Sequence, residues 1–379
     1  MSQLKVNSIS DSAGANGNAI TLATDGTCTA KITNRSNRNL IINGSQDIDQ
    51  RNSGTEVNPV VHEKFVTDRF KFDLSQASKL KAQQVSDGPT GFTKSLKVTS
   101  LAATTPGASD YYLLQQNIEG LNSAQLGWGA SGAKTVTLSF WVKSSLTGTF
   151  GAALRNSAHD RTNVQTYAIS AADTWEKKTI TFTGDTSGTW LTTNGIGLRV
   201  GWDLGAGTDF DAASTGSWLA TNDFTTSSCT HVVATNAATW QITGLQLEVG
   251  STATDFEYSS YSDEVQRCRR YYQHFEAGDS CGLLGFCDSS TALKAMAYFH
   301  PHMRSTPSLK IDAVGGYKVR HSGGSATTAT AFAIGSSLEA NYSMARLNIT
   351  VGSGLTAGQC AWIGGDSNKS PKIDFSAEL

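Results

Sequence analysis

The feature that most constrains the fold is the alternation of apolar and polar residues in short segments. The apolar side of KTVTLSFWVKSS (134–145) consists of Val136, Leu138, Phe140 and Val142. The pattern recurs in RFKFDL (69–74), GIGLRVGW (195–202) and WQITGLQLEVG (240–250). Because successive side chains of a strand point to opposite faces, these segments predict antiparallel strands with one face in a core and one toward water. Many such segments, without a long helical pattern, predict a mainly β protein containing a sandwich or jelly roll.

The segment WQITGLQLEVG (240–250) also changes phase. Its apolar residues are Trp240, Ile242, Leu245, Leu247 and Val249. They are spaced two residues apart before and after Thr243-Gly244, but Ile242 and Leu245 are three residues apart. One extra residue in a strand produces this slip, so the sequence predicts a β-bulge there.

Composition limits the classes of partner. Only 16% of the 379 residues are Asp, Glu, Lys or Arg, and there are 37 glycines, which favours short strands joined by turns. The net charge is −2 and the basic residues are dispersed, so no nucleic-acid partner is expected. No run of about 18 apolar residues occurs, so no membrane insertion is expected.

Cysteine usage and the start of the sequence predict where the chain is made. The six cysteines are sparse and irregularly spaced, and the start MSQLKVNSIS lacks the charged and apolar regions of a secretory signal. We therefore expect free thiols and synthesis in a reducing cytoplasm.

The patterns divide the chain into four parts. We expect an extended N-terminal anchoring segment at 1–38, a jelly-roll sandwich at 39–258, a linking helix at 259–275 and a smaller β-sandwich at 276–379. The N-terminal segment has two short strand-like pieces, one containing Leu4 and Val6 and one containing Ile20 and Leu22. Together they offer too little apolar surface to form a core, so this segment needs a partner.

Several aromatic residues are candidates for sugar binding, because aromatic faces stack on the C–H faces of sugar rings. Trp141 lies on the polar side of its strand, where it could line a saccharide groove, contact another subunit or be covered by a loop. Further carbohydrate-binding candidates are Trp128, Trp218, Tyr111 and Arg199.

Metal binding and catalysis have less support in the sequence. The segment DLGAGTDFD (203–211) gathers Asp203, Asp209 and Asp211, which are secondary candidates for calcium, although a solvated loop is the favoured interpretation. The segment GDSCG (278–282) matches a serine-nucleophile pattern, but it follows a helix and precedes a strand, so a plain turn is expected. No cofactor is required, and nothing in the sequence fixes a pair of catalytic carboxylates, so we do not expect an enzyme.

Four motifs in order resemble a known class of domain. NLIINGSQD (39–47), TLSFWVKSS (137–145), TWEKKTITF (174–182) and WQITGLQLEVG (240–250) are similar to signatures of jelly-roll carbohydrate-binding modules appended to xylanases and related glycosidases. Followed by FEYSSYSDEVQRCRRYY (256–272) and the ending IDFSAEL (373–379), they resemble tail-fibre and receptor-binding proteins of tailed bacteriophages, particularly marine and cyanobacterial ones.

The resemblance implies a non-enzymatic virion appendage that attaches to host surface polysaccharide. It also implies a homotrimer joined to other tail proteins through its N-terminal segment, located in the virion after synthesis in the bacterial host. A polysaccharide-depolymerising spike or a carbohydrate-binding module of a glycan-acting enzyme is the alternative, and a capsid fibre is a variant of the first hypothesis. The absence of long repeats disfavours a β-helical depolymerase.

The linking helix has a charge order that suits the helix dipole. Ser262 is the expected cap, with acids in the first turn and arginines in the later turns. Its apolar stripe comprises Val265, Cys268, Tyr272 and Phe275. This stripe could pack on its own sandwich or at a threefold axis between chains.

Overall fold

The computed structural model describes residues 8–10, 18–22, 28–30, 37–276, 282–321, 325–336, 339–366 and 372–379. The chain forms two compact units, Met1–Arg38 and Asn39–Leu379. The first contains an antiparallel sheet of three strands: β1 (Ser8–Ser10), β2 (Asn18–Leu22) and β3 (Cys28–Ala30). The sequence predicted only two strand-like pieces there; Leu4 and Val6 lie outside the described residues.

The second unit begins with a sandwich of two antiparallel sheets. Its strands are β4 (Phe65–Thr67), β5 (Phe70–Leu74), β6 (Leu80–Val85), β7 (Ser95–Ser100), β8 (Tyr111–Glu119), β9 (Val136–Ser144), β10 (Gly148–Arg155), β11 (Thr162–Ile169), β12 (Glu176–Phe182), β13 (Ile196–Ala206), β14 (Trp218–Leu219) and β15 (Thr239–Val249). The orders are β14-β11-β10-β13-β8-β5-β4 and β12-β9-β15-β7-β6. The chain crosses repeatedly between the sheets, as in the predicted jelly roll. A four-residue helix, α1 (Gly120–Ser123), follows β8.

The core between the two sheets confirms the predicted strand faces. Leu138 and Phe140 of β9 are fully buried. The Phe140 ring lies 5.1 Å from the Tyr167 ring and 5.9 Å from the Trp202 ring of the opposite sheet, measured between centroids. These large aromatic side chains fill the layer, which is about 10 Å thick in sandwiches of this kind.

The predicted bulge in β15 is present. The pairing register between β15 and β9 shifts between Thr243 and Gln246, and Gly244 adopts a left-handed φ of 62°. A Cβ on Gly244 would also lie 2.7 Å from Phe92 Cζ, so both backbone and space require glycine here. Leu245 and Leu247 face the core as expected, but Val249, at the strand end, is 42% exposed.

The linking helix is shorter than the sequence predicted. Helix α2 spans Tyr261–Arg269, and its cap is Ser260, whose side chain accepts a hydrogen bond from the Asp263 backbone. Ser262 is therefore not the cap. Tyr272 and Phe275 are not on the helix but on strand β16 (Tyr272–Glu276), because the backbone there pairs with a strand near the end of the chain.

Within this chain the helix packs on the loop that precedes the sandwich. Cys268 is buried with Tyr271 against Ile42 and Ile48, and Val265 packs beside them. Burial raises the pKa of the Cys268 thiol well above its usual value, so the thiol is neutral and behaves as an apolar group.

The C-terminal region is mainly β, but its strands close into a barrel in place of the expected second sandwich. The strands after β16 are β17 (Leu284–Cys287), β18 (Ala292–Tyr298), β19 (Ser308–Ile311), β20 (Tyr317–His321), β21 (Ala326–Ile334), β22 (Met344–Val351), β23 (Cys360–Gly365) and β24 (Lys372–Ser376). Six form the closed barrel β17-β18-β22-β21-β20-β23, while β16, β24 and β19 form a separate sheet. Many inward positions are small, as in Ala295, Ala297, Ala345 and Ala361, and a six-stranded barrel has a narrow interior.

The final residues hold the barrel region against the sandwich. The Asn117 side-chain amide donates to the Leu379 carbonyl (2.8 Å). Glu378 forms ion pairs with Arg51 (2.9 Å) and Arg69. The Arg69 guanidinium also lies 3.5 Å from the centre of the Tyr271 ring. Within the described part of the chain, no helix is long and apolar enough to cross a membrane.

Candidate functional site

A cavity of about 160 Å³ lies where the sandwich meets helix α2, and we term it the joint cavity. Two segments distant in sequence form its walls: the loop before the sandwich, and the chain that leaves β15 and continues into the first turns of α2. Its lining residues are Asn39, Gly44, Ser45, Asp47, Ile48, Phe256, Glu257, Tyr258, Ser259, Tyr261, Glu264 and Arg267.

Backbone hydrogen bonds fix the chain leaving β15. The Asn39 N–H donates to Glu257 Oε2 (2.8 Å), and the Glu257 N–H donates to Gln246 Oε1 (2.8 Å). Across the cavity, a Cβ on Gly44 would lie 2.2 Å from the Leu245 carbonyl oxygen. The close approach of these two segments therefore depends on glycine, and it gives the cavity a preformed wall.

Exposed aromatic rings border the cavity. Tyr258 is 62% exposed and Tyr261 is 68% exposed, although both are large and partly apolar. The Phe256 ring lies 4.9 Å from the Tyr258 ring and 5.0 Å from the Phe92 ring. The Tyr258 hydroxyl donates to the Gly91 carbonyl (3.0 Å), so its ring is held in place while one side remains open. Partial burial, with a contribution from Asp47, raises the pKa of Tyr258, which keeps the phenol neutral.

Charged groups lie between the aromatic walls. Glu264 accepts the Asn43 backbone N–H and a hydrogen bond from Arg267 Nη1 (3.2 Å). Arg267 Nη2 donates to the Asn39 carbonyl (3.2 Å), and Asp47 accepts from the Thr93 hydroxyl (3.2 Å). The cavity thus combines aromatic faces with fixed donors and acceptors, the usual composition of a small-molecule site.

Trp141, the first candidate from the sequence, lies beside this group of rings. It is half-buried on the outer face of the five-stranded sheet, opposite Lys177 of β12 and Thr243 of β15. A Cβ on Gly244 would be 3.0 Å from Trp141 Cδ1 and 2.7 Å from Phe92 Cζ, so the Trp141 and Phe92 rings border the same glycine. Phe92 thus lies between Trp141 on one side and Phe256 and Tyr258 on the other.

A second aromatic side chain lies further along the same sheet face. The Trp175 indole N–H donates to Asp87 (3.4 Å), and the Lys143 ammonium lies 5.2 Å from the Trp175 ring centre. Lys143 also bonds Asp87 at 2.5 Å, and this hydrogen bond lowers the pKa of the Asp87 carboxyl. A polar and aromatic surface therefore continues from Trp141 toward β12.

The other sequence candidates lie elsewhere. Trp128 and Trp218 form a cluster with Trp190, with ring centroids 4.7–5.3 Å apart, and their indole N–H groups donate to backbone carbonyls. Tyr111 and Arg199 lie on the outer face of the seven-stranded sheet, in β8 and β13. The five candidates thus occupy three separate places, and only Trp141 adjoins the joint cavity.

The aspartates considered for calcium do not form a metal site. Asp203 is buried and accepts hydrogen bonds from the Gly205 N–H (2.7 Å) and the Thr225 hydroxyl (2.5 Å), so its oxygens are used within the chain. Asp209 is exposed on a 3-10 turn (Thr208–Phe210). Among the described residues, no group of three or more His, Cys, Asp or Glu is placed to hold a metal ion. Residues 278–281 of the GDSCG segment lie outside the described residues.

Sequence reasoning missed most of the joint cavity. Its walls come from residues 39–48 and 256–267, with Phe92 packed against Phe256 from a third segment, and no single segment carries a recognisable site pattern. The density of aromatic residues in FEYSSY (256–261), a polar stretch without strand alternation, was the available signal.

Comparisons with known proteins give low similarity. No protein-family model matches the chain, and no curated protein matches it. Solved structures that resemble part of the chain include the enzymatically active domain of tailspike protein 4 of bacteriophage CBA120 (10% identity, TM-score 0.31), which covers 56% of this chain and 22% of that one.

Two carbohydrate-binding modules are also similar. The CBM22-1 xylan-binding domain of Paenibacillus barcinonensis Xyn10C is 12% identical, has a TM-score of 0.25 and covers 53% of this chain and 97% of that one. TmCBM61, solved with β-1,4-galactotriose, is 7% identical, has a TM-score of 0.24 and covers 48% of this chain and 88% of that one. Scores this low establish neither a family nor a ligand for this chain.

Proposed function

We propose that the joint cavity and the adjoining face around Trp141 bind a saccharide of a bacterial surface. The observation that carries the proposal is the pair of exposed rings, Tyr258 and Tyr261, on a cavity that also holds Asp47, Glu257 and Arg267. Sugar rings present C–H faces that stack on aromatic rings, and hydroxyls that pair with carboxylates and guanidinium groups. Few other neutral ligands match both features at once.

The role we propose is binding without bond cleavage. Glycoside hydrolysis needs one carboxyl able to donate a proton and a second able to attack or activate water. In the cavity Glu264 is held by a backbone N–H and by Arg267, and Glu257 is held by the Asn39 N–H. Carboxylates engaged in this way orient a ligand better than they transfer protons.

The biological setting of the proposal comes from the sequence resemblance to phage tail fibres. The chain would be a virion appendage, synthesised in the host cytoplasm, that attaches the particle to host surface polysaccharide. It would act as a homotrimer joined to other tail proteins through residues 1–38. A capsid fibre would use the same chemistry, and a depolymerising spike or enzyme-linked module is the alternative.

The binding proposal is tested by titrating the purified full chain with fragments of bacterial surface polysaccharide. Tyr258→Ala and Tyr261→Ala should each weaken binding about tenfold, which corresponds to about 1.4 kcal/mol. The matched control is Tyr298→Ala, since Tyr298 is 59% exposed but lies on the barrel. Equal losses in all three variants, or none, would remove the joint cavity as the site.

A separate measurement distinguishes binding from cleavage. Incubation of the chain with the polysaccharide that it binds should release no reducing sugar ends. Release that is lost in Glu257→Gln or Glu264→Gln would establish the enzymatic alternative.

A further inference from the structure

Two arginines lie side by side on the outer face of the seven-stranded sheet, away from the joint cavity. Arg155 of β10 and Arg199 of β13 are direct cross-strand partners. Arg155 is 3% exposed, and Arg199 is half-buried. Like charges placed opposite each other on neighbouring strands repel, so this pair is unfavourable unless something compensates it.

The hydrogen-bond partners of both guanidinium groups are neutral. Arg155 donates to Asn222 Oδ1 (2.9 Å) and to Gln115 Oε1 (3.1 Å), and Arg199 donates to Asn117 Oδ1 (3.2 Å). Within the described residues, no carboxylate lies within 4.0 Å of either guanidinium. Buried cations ordinarily have an anionic partner, because desolvation is otherwise uncompensated.

Nearby donors also lack acceptors. The Nε2 of the fully buried Gln115 has no hydrogen-bond acceptor, and the Nε of Arg199 has none either. His159 Nε2 is buried without a partner as well. Burial, with smaller contributions from Arg155 and Arg199, lowers the pKa of His159 to about 4, so its imidazole is neutral. Buried polar groups are almost always paired, so the two unpartnered donors of Gln115 and Arg199 in one place indicate a missing acceptor.

Small residues flank Gln115 on the two strands beside it. The residue opposite Gln115 on β13 is Gly201, and Ala153 lies next to it on β10. A Cβ on Gly201 would make ordinary van der Waals contact, 3.5 Å from Leu113 Cδ2 and 3.9 Å from Gln115 Cβ.

Asp73 attracts both arginines and Glu63 attracts Arg199, but burial outweighs these attractions and lowers the pKa of both guanidinium groups. Lys71 is paired with Glu63 (3.3 Å), and Asp73 lies 3.0 Å from His62. Tyr111 borders the same face, and its ring packs edge-on against Phe224, which in turn lies under Arg155.

We propose that Arg155, Arg199 and Gln115 bind the oxyanion of an acidic saccharide, such as a uronate carboxylate. Guanidinium forks match the geometry of carboxylate and sulfate oxygens, and two adjacent forks with a side-chain amide supply donors for both oxygens of a carboxylate. The Tyr111 ring beside them offers an apolar surface for the sugar ring. This arginine site is separate from the joint cavity and does not depend on it.

Calorimetric titration of the full chain tests this site with three probes at millimolar concentration. Methyl β-glucuronide should bind at least tenfold more tightly than methyl β-glucoside, from which it differs by the carboxylate. Inorganic sulfate, which carries an oxyanion but no sugar ring, should bind more weakly than the glucuronide.

Arg199→Gln is the preferred variant, because Arg199 is half-buried and its replacement perturbs the core less than loss of Arg155. It should reduce glucuronide affinity at least tenfold. The matched control, Arg320→Gln, changes a half-buried barrel arginine that also has an unpartnered Nε and bonds the Gly365 carbonyl. The control should change affinity less than twofold.

Unchanged glucuronide binding in Arg199→Gln, or equal binding of glucuronide and glucoside, would overturn the arginine site. Sulfate binding as tight as glucuronide binding would overturn its assignment to saccharides. Tyr258→Ala should retain glucuronide binding, so this site and the joint cavity can fail independently. A matching unfolding temperature of Arg199→Gln and the unchanged chain would show that loss of binding is not loss of folding.

Discussion

The sandwich and the C-terminal barrel fill their cores with different side chains. The sandwich core is rich in large aromatics such as Phe72, Phe140 and Trp202, which span the layer between its two sheets. The barrel core relies on alanines and aliphatic residues such as Leu347 and Ile363. Two sheets facing each other are held apart by large side chains, whereas most inward positions of a small closed barrel take small and medium ones, with Tyr317 as a large exception.

The two regions differ on their outer surfaces as well. The outer faces of the sandwich bury charged groups, among them Arg155 and Asp203, beneath loops and neighbouring elements. The barrel instead exposes apolar side chains such as Leu284 and Phe286 on β17. Both proposed binding sites lie on the region whose outer layers carry fixed, partly buried polar groups.

The largest expected effect is on the sandwich core. Phe140→Ala should lower the free energy of unfolding by about 3–5 kcal/mol, because it removes a buried ring that contacts both sheets. Ser139→Ala, the neighbouring position on the opposite face, should change it by less than about 1 kcal/mol. Chemical denaturation measures both, and equal effects would contradict the assignment of the two faces.

The complementary change in the barrel adds volume. Ala295→Leu should destabilise the chain by about 1–3 kcal/mol, because Ala295 is fully buried in a narrow interior that cannot accept three more carbons without strain. Ala333→Leu, at an exposed position of β21, is the matched control. A neutral or stabilising Ala295→Leu would show that the barrel interior is not filled.

The buried carboxyl of Asp203 should make the free energy of unfolding depend on pH. Burial raises the pKa of Asp203 above 3.8. Between the unfolded and the folded pKa, the folded state retains a proton that the unfolded state has lost, so the free energy of unfolding decreases as pH rises through this window. The effect is about 1.4 kcal/mol for each unit of difference in pKa.

Asp203→Asn should remove this decline, so its stability relative to the unchanged chain should increase with pH across the window and then level off. The exposed Asp209→Asn serves as the control. Parallel pH profiles for Asp203→Asn and the unchanged chain would show that folding does not raise the pKa of the Asp203 carboxyl.

The smallest expected effect concerns the helix that connects the two regions. Ser260→Ala should cost about 1 kcal/mol, because the Ser260 hydroxyl accepts the Asp263 backbone N–H at the start of α2. Ser262→Ala, inside the first turn, should have less effect. The reverse order would restore the cap predicted from the sequence.

The sequence alone determined the features that depend on near neighbours along the chain. Alternation identified the buried faces of the strands containing Phe72, Phe140 and Trp202, and the change of phase located the bulge at Gly244. The order of charges identified a helix after residue 260. Each of these depends on the geometry of a single strand or helix, so the pattern of side chains is sufficient to reveal it.

Only the tertiary structure decided which strands pair and which segments meet. The end of α2 at Arg269 is set by pairing of β16 with β24, about a hundred residues later, and closure of the barrel depends on pairing of β17 with β23. The joint cavity brings together Ser45 and Tyr258, with Phe92 packed beside Tyr258, and the arginine site brings together β8, β10 and β13. Side-chain alternation is the same whichever partner a strand selects, so contacts between distant segments cannot be read from it.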